Sequence, residues 1–254
     1  MPSSQITPIS VPDNYGSRGR ARIGIVVPFS NTNLEPDMVL LRPDGVSLHF
    51  ARAAGYDLNK VPDSDQMRKF ALSTLDTVID SLAAAKPDVI LYGCTSATLA
   101  HGLEFDAEFS KMILARAGVK AVTAAGALVE ALTSRLITKI GFCSPYVEQL
   151  NQEAIGFLSQ CGIETVSSAY VGSDLGNYGQ GELSPQQVFE LGVRADSDQA
   201  EAVVLSCTDM RSVEIMHRLS EHIGKPIITS NQALMESALK IIEYDSKMTE
   251  AVST

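Results

Sequence analysis

Short apolar runs alternate with longer stretches in which apolar positions recur every three or four residues, from Arg22 to about Tyr244. Four-to-eight-residue runs rich in Val and Ile read as buried strands, and the wider spacing reads as amphipathic helices. Strands are expected over Ile23–Pro28, Val46–Arg52, Val89–Tyr92 and Lys120–Val122, then Lys139–Cys143, Glu164–Val171, Ala202–Leu205 and Ile227–Thr229. Helices are expected over Asn31–Leu41, Lys69–Ala85, Asp106–Ala117, Tyr146–Gln160, Gln186–Ala195, Arg211–His222 and Gln232–Tyr244. In the second of these Phe70, Leu72, Leu75, Val78, Ile79 and Leu82 line one face, and Lys86-Pro87 ends it because proline cannot continue the hydrogen-bond ladder. Strand–helix alternation of this kind builds parallel sheets with helices on both faces.

The pattern runs twice. Each half goes strand, helix, strand, helix, strand and then a cysteine-threonine turn: Gly93-Cys94-Thr95 after the first set, Ser206-Cys207-Thr208 after the second. We therefore expect two pseudo-symmetric open α/β domains with parallel sheets and an active site in the cleft between them. The first half runs over 21–122 and is completed by 230–254, the second runs over 123–229, and residues 1–20 form a mobile N-terminal arm. The long irregular stretch Gly172–Ser184 is glycine-rich, but its spacing fits neither a dinucleotide fingerprint nor a P-loop, so it reads as a mobile loop over the cleft.

Ligands of open α/β sheets bind beyond the carboxyl ends of the strands, where free N–H groups point outward. Ser30-Asn31-Thr32, Cys94-Thr95-Ser96 and Cys207-Thr208 occupy such strand ends and can cradle carboxylates without arginine. Taken singly, each of these is as well explained as a helix cap. A thiol at a helix N-terminus is expected to ionise more readily than a free one, which makes Cys94 and Cys207 candidate nucleophile and base. Cys143 lies inside an apolar strand and Cys161 at a helix end, both read as packing residues. Asp209 reads as a cap of the helix expected after it, with the alternative that its charge keeps Cys207 protonated. Glu35-Pro36-Asp37 reads as the acidic first turn of a helix.

Composition narrows the partners. With 254 residues, 45% of them hydrophobic, the chain can bury a sizeable core, and a net charge of −10 without any basic run excludes a nucleic-acid surface. Met1–Arg20 has no apolar segment of the kind a signal peptide or membrane anchor needs. Four cysteines without an export signal suggest reduced thiols in the cytoplasm. The four histidines show no metal-ligand spacing, and His101, although it follows the first thiol motif closely, reads as a structural residue.

The chain resembles the maleate cis-trans isomerase and arylmalonate decarboxylase group of the aspartate/glutamate racemase superfamily. The resemblance is carried by Val27-Pro28-Phe29-Ser30-Asn31-Thr32, the two Cys-Thr motifs, Ser144-Pro145-Tyr146, Lys225-Pro226-Ile227 and Ser230-Asn231. It implies a duplicated α/β fold, no cofactor, a homo-oligomer, and a small dicarboxylate or amino-acid-like substrate. By position it implies Cys94 as nucleophile, Cys207 as the opposing acid/base, and Asn31, Tyr146 and Asn177 as carboxylate ligands, with Ser30, Thr95, Ser96 and Thr208 completing the cradle. Decarboxylase members of the group keep only the second cysteine, so two thiols count against decarboxylation, and cis–trans isomerisation of an enedioate is the favoured reading. Two-thiol racemisation of an amino acid or hydantoin is the alternative, and decarboxylation or an ectoine-catabolic role a third.

Overall fold

The computed structural model describes residues 21–53, 75–173 and 175–243. Its eight strands fall into two sheets. The first holds β1 (Ala21–Val27), β2 (Val46–Arg52), β3 (Val89–Tyr92) and β4 (Lys120–Thr123); the second holds β5 (Lys139–Ser144), β6 (Glu164–Tyr170), β7 (Ala202–Leu205) and β8 (Ile227–Thr229). The orders β2-β1-β3-β4 and β6-β5-β7-β8 are the same, and every pair is parallel. The duplication read from the sequence is thus a duplication of topology.

Burial explains which runs take which place. All four residues of β3 and all four of β7 are buried, as a strand with neighbours on both sides and helices on both faces requires. In β2 and β6, which close one edge of each sheet, most residues are only partly covered. The connecting helices are α1 (Leu34–Leu41), α2 (Leu75–Ala84), α3 (Thr95–His101), α4 (Leu103–Ala117), α5 (Ala124–Thr133), α6 (Glu148–Gln160), α7 (Gly176–Glu182), α8 (Pro185–Ala195), α9 (Met216–Ile223) and α10 (Ser230–Ile241).

The last strand of each sheet ends in a threonine that caps the next helix. Thr123 accepts from the Gly126 N–H at the start of α5, and Thr229 from the Gln232 N–H at the start of α10. These two helices pack on one another, and their buried faces are made of small and aliphatic residues: Ala124, Ala127, Leu128 and Ala131 against Ala233, Leu234 and Ala238. A single apolar cluster runs through both sheets and this helix pair, so the halves share a core.

Several expectations change. The stretch Gly172–Ser184 is not irregular throughout, because Gly176–Glu182 forms α7. The helix expected from Arg211 begins only at Met216, which leaves Cys207 at the head of an extended turn instead of a helix. Helix α1 begins at Leu34 and α6 at Glu148, so Asn31 and Tyr146 both sit in the turns that leave β1 and β5. Helices α3 and α5 are additional to those read from the sequence. The expected arm 1–20, helix positions 69–74 and Tyr244 lie outside the described residues.

Candidate active site

Four strands deliver the site. In each sheet the chain leaves the two central strands in opposite directions, which opens a crevice at their carboxyl ends. Asn31 follows β1, Cys94 follows β3, Tyr146 follows β5 and Cys207 follows β7, so each half contributes one polar side chain and one thiol.

Hydrogen bonds tie the two motifs together. Thr208 Oγ1, next to Cys207, donates to the carbonyl of Gly93 at 2.8 Å, next to Cys94, and accepts from Asn31 Nδ2 at 3.0 Å. The first motif reaches back in the same way: Thr95 Oγ1 donates to Ser230 Oγ at 3.0 Å, and the Tyr146 hydroxyl interacts with Thr95 and lies 3.4 Å from Ser206 Oγ. Asn31 Oδ1 accepts the N–H groups of Asn33 and Leu34 at 3.0 and 2.8 Å, which fixes its amide and starts α1. Gly93 is required where it stands, because a Cβ there would fall 2.2 Å from Leu34 Cδ2 and 2.9 Å from the Val26 carbonyl.

Cys94, Cys207, Asn31, Thr95, Ser96, Thr208 and Tyr146 are all buried in the closed cleft, each thiol only 6% exposed. Ser30 lies partly exposed in the turn after β1. Asn177 is on α7, and its side chain is outside the described residues.

The thiols depart from the expected lowering of their pKa. Burial pushes Cys94 up, opposed by the Ala97 N–H and the Ser96 and Tyr92 hydroxyls. Burial also raises Cys207, and the charge of Asp209 adds to it, against the N–H groups of Asp209 and Met210. Desolvation of a charge outweighs a few donors when water is excluded. Tyr146 stays neutral for the same reason, and the prospective charges on Cys207 and Cys94 raise it further. Its hydroxyl meets one residue of each thiol motif, Ser206 and Thr95.

At Cys207 one contact, Gln180, has no counterpart in the sequence motifs, and the cap expected of Asp209 falls on a different helix. Gln180 on α7, 8% exposed, accepts from the Cys207 thiol at 3.4 Å. Asp209 does not cap its own helix. Its Oδ1 accepts the N–H groups of Thr32 and Asn33 at 2.7 and 3.1 Å, so it caps α1 from the other half. Asn33 Nδ2 returns to the Asp209 carbonyl at 2.8 Å and to that of Gly181 at 3.1 Å, which seats α7 over the cleft. Tyr92, the last residue of β3 and two positions before Cys94, is a third contact of the first thiol that the apolar strand pattern concealed. Cys143 is fully buried in β5, where burial pushes its thiol up to about 12, and Cys161 caps the end of α6. Both are packing residues. Among the described residues no group of three or more His, Cys, Asp or Glu is placed to hold a metal ion. No described helix is long and apolar enough to cross a membrane.

The fold is shared with solved structures of two enzymes. A cysteine-to-serine variant of the Nocardia farcinica maleate cis-trans isomerase, with a covalently bound succinylcysteine intermediate, superposes with a TM-score of 0.80 at 22% identity, covering 88% of this chain and 93% of that one. Arylmalonate decarboxylase superposes with a TM-score of 0.72 at 17% identity, covering 89% and 94%. In sequence, the maleate isomerase of Pseudomonas putida is 26% identical over 241 residues, 88% of this chain and 92% of that protein. The maleate isomerase of Geobacillus stearothermophilus is 25% identical over 246 residues, 91% and 96%. The profile of the arylmalonate decarboxylase family matches residues 23–253, and with its duplicated parallel sheets and strand-end cysteines the chain belongs to that family.

Proposed function

We propose that this protein is a cofactor-independent cis–trans isomerase of a small enedioate of the maleate type, with Cys94 and Cys207 as its reacting groups. The observation that carries the reading is that the two buried cysteine-threonine turns are joined, by the Thr208 to Gly93 hydrogen bond and by a Tyr146 hydroxyl that meets Ser206 of one and Thr95 of the other. The Pseudomonas and Geobacillus relatives at 26% and 25% identity are maleate isomerases, and the succinylcysteine in the Nocardia relative is the product of adding a thiol across such a double bond.

The Cys94 thiolate adds to one alkene carbon, forming a C–S bond, and the π electron pair moves onto the neighbouring carboxylate as an enediolate. Asn31 Nδ2, which spends only one of its two hydrogens on Thr208, and the Tyr146 hydroxyl are the side-chain donors left for the carboxylates where that charge develops. The Thr95 and Thr208 hydroxyl protons are committed to Ser230 and the Gly93 carbonyl and hold the two turns in place. Cys207 gives its proton to the second carbon. The former double bond is then single and rotates. Cys207 takes the proton back, the pair re-forms the double bond, and the C–S bond breaks to return the Cys94 thiolate and release the trans isomer. Each thiol ends as it began. The same reading makes the enzyme cytoplasmic, in keeping with free cysteines throughout the described residues.

Proton NMR of the protein in deuterated water, with maleate and in parallel with aspartate, glutamate and a hydantoin, tests the reaction. Fumarate is expected with the wild type and none with Cys94→Ala. No fumarate, together with deuterium entering the alpha position of aspartate, glutamate or a hydantoin, would establish proton transfer between two faces and overturn the proposal.

A further inference from the structure

The two thiol motifs differ at one informative position. Cys94-Thr95-Ser96 and Cys207-Thr208-Asp209 occupy equivalent strand ends, and two residues after the cysteine the first carries a hydroxyl and the second a carboxylate. Ser96 Oγ lies 3.8 Å from Cys94 Sγ and can donate to a thiolate. An ionised carboxylate has no proton to donate, and its charge opposes a second negative charge beside it.

The surroundings of Asp209 hold it in that position. Oδ1 collects Thr32 N–H at 2.7 Å, Asn33 N–H at 3.1 Å and Asn33 Nδ2 at 3.1 Å, all from across the cleft. Gly181 packs so closely that a Cβ there would lie 2.9 Å from Oδ1. The Asp209 N–H donates to the Cys207 sulfur at 3.4 Å, which places the residue against it. The Gln180 carbonyl oxygen accepts the thiol proton at 3.4 Å, a bond that exists only while the sulfur is protonated. We infer that Asp209 is a positioning residue that makes the two thiols unlike, holding Cys207 as the proton-bearing member of the pair and leaving ionisation to Cys94. The inference rests on the two-thiol reading above and assigns the cause of its asymmetry.

The other titratable groups do not supply this difference. Cys207 is faced by Cys94 from the start of α3 and by Tyr146 from the end of β5, and these act within the pair or on both thiols. Asp37 on α1 interacts with Asp209, and Arg211 and Glu214 act on Asp37 in opposite senses. Asp209 itself is pushed up to about 6 by burial, against the donors from Thr32 and Asn33, so it carries its charge at the alkaline pH where a thiol titrates.

The test is the pH dependence of kcat for maleate isomerisation by the wild type, Asp209→Asn and Asp209→Ser. Asparagine keeps an acceptor for the Thr32 and Asn33 donors and removes the charge; serine removes the charge and makes the two motifs alike. A thiolate–thiol pair gives a bell-shaped profile whose alkaline limb reports loss of the remaining proton. Both neutral variants are expected to bring that limb down by about one pH unit or more. Asp209→Ser is expected to raise KM as well, because the turn holding Asn31 loses its clamp. An alkaline limb unmoved in both variants, or moved only by serine, would overturn the inference, because the clamp and not the charge would then be at work. A wild type that turns over no maleate overturns the proposed function instead, so the two failures are distinct.

Discussion

Asp37 shows how one buried carboxylate ties stability to pH. It is 3% exposed on α1, and Asn231 Nδ2 divides its donors between Asp37 Oδ2 at 2.7 Å and the Thr208 carbonyl at 3.0 Å. Burial pushes Asp37 up to about 7, with the Asn231 hydrogen bond opposing and Glu214 adding to the rise. The folded protein therefore keeps a proton that the unfolded chain releases from about pH 4 upward. Stability present below pH 4 is lost progressively as pH rises to about 7, at about 1.4 kcal/mol for each unit of displacement. Asp209, raised to about 6, acts in the same direction over a narrower window. Asp37→Asn keeps an oxygen for Asn231 and removes the titration. Thermal denaturation at pH 5 and pH 8 should show the variant losing less stability than the wild type between the two, with the larger gain in Tm at pH 8; equal losses would contradict the role assigned to Asp37. The sequence placed this residue only as part of an acidic helix start. That reading suits Glu35, which pairs with Arg52 at 2.8 Å on the surface. Asp37 lies in that first turn too, but its hydrogen-bond partner is 194 residues away and no local pattern shows it.

At the level of elements, what the sequence revealed follows what local physics determines. Fully apolar runs such as Val89–Tyr92 and Ala202–Leu205 could only be central strands, and they are. Helix α5 was missed because Ala124-Ala125-Gly126-Ala127 has no contrast between faces until α10 covers it. Helix α7, Gly-Asn-Tyr-Gly-Gln-Gly-Glu, has poor intrinsic propensity and sits on tertiary contacts from Asn33 and Cys207. Its glycines suggest a loop when read alone; Gly181 instead permits close approach to Thr32, Asn33 and Asp209. Close approach also governs Gly141 in β5, where a Cβ would fall 2.0 Å from the Ala195 carbonyl at the end of α8. Backbone cannot give way as a side chain can. Gly141→Ala should destabilise the fold by about 1–3 kcal/mol or more, read as a lower midpoint in urea denaturation with an unchanged slope; a midpoint equal to the wild type would show that α8 can shift without cost.

Over the whole molecule, duplication places the chemistry and departures from symmetry differentiate it. Each sheet alone would present one thiol and one polar turn. The shared α5–α10 core and the cross-cleft bonds of Asn31, Thr208, Asn33 and Asp209 bring the two sets into one closed site. The repeated cysteine-threonine motif made the two equivalent strand-end turns legible, and the Thr208 to Gly93 hydrogen bond joins them. Which side chains cross from one half to the other was not legible, because no local pattern encodes a contact over more than 170 positions. The ionisation of the thiols was misjudged for a related reason: helix ends are visible in sequence, whereas closure of the cleft over the sulfurs is a property of the assembled halves. The central claim is covalent addition by Cys94 that is undone when Cys207 takes a proton back from the adduct. A serine hydroxyl or water can still supply that proton, but serine is too weak a base to remove it. Mass spectrometry of proteolytic peptides from Cys207→Ser incubated with maleate tests it most directly. The account predicts a gain of one maleate on the peptide containing Cys94, absent from Cys94→Ala treated in the same way; a folded Cys207→Ser protein with an unmodified Cys94, or with the adduct elsewhere, would contradict it.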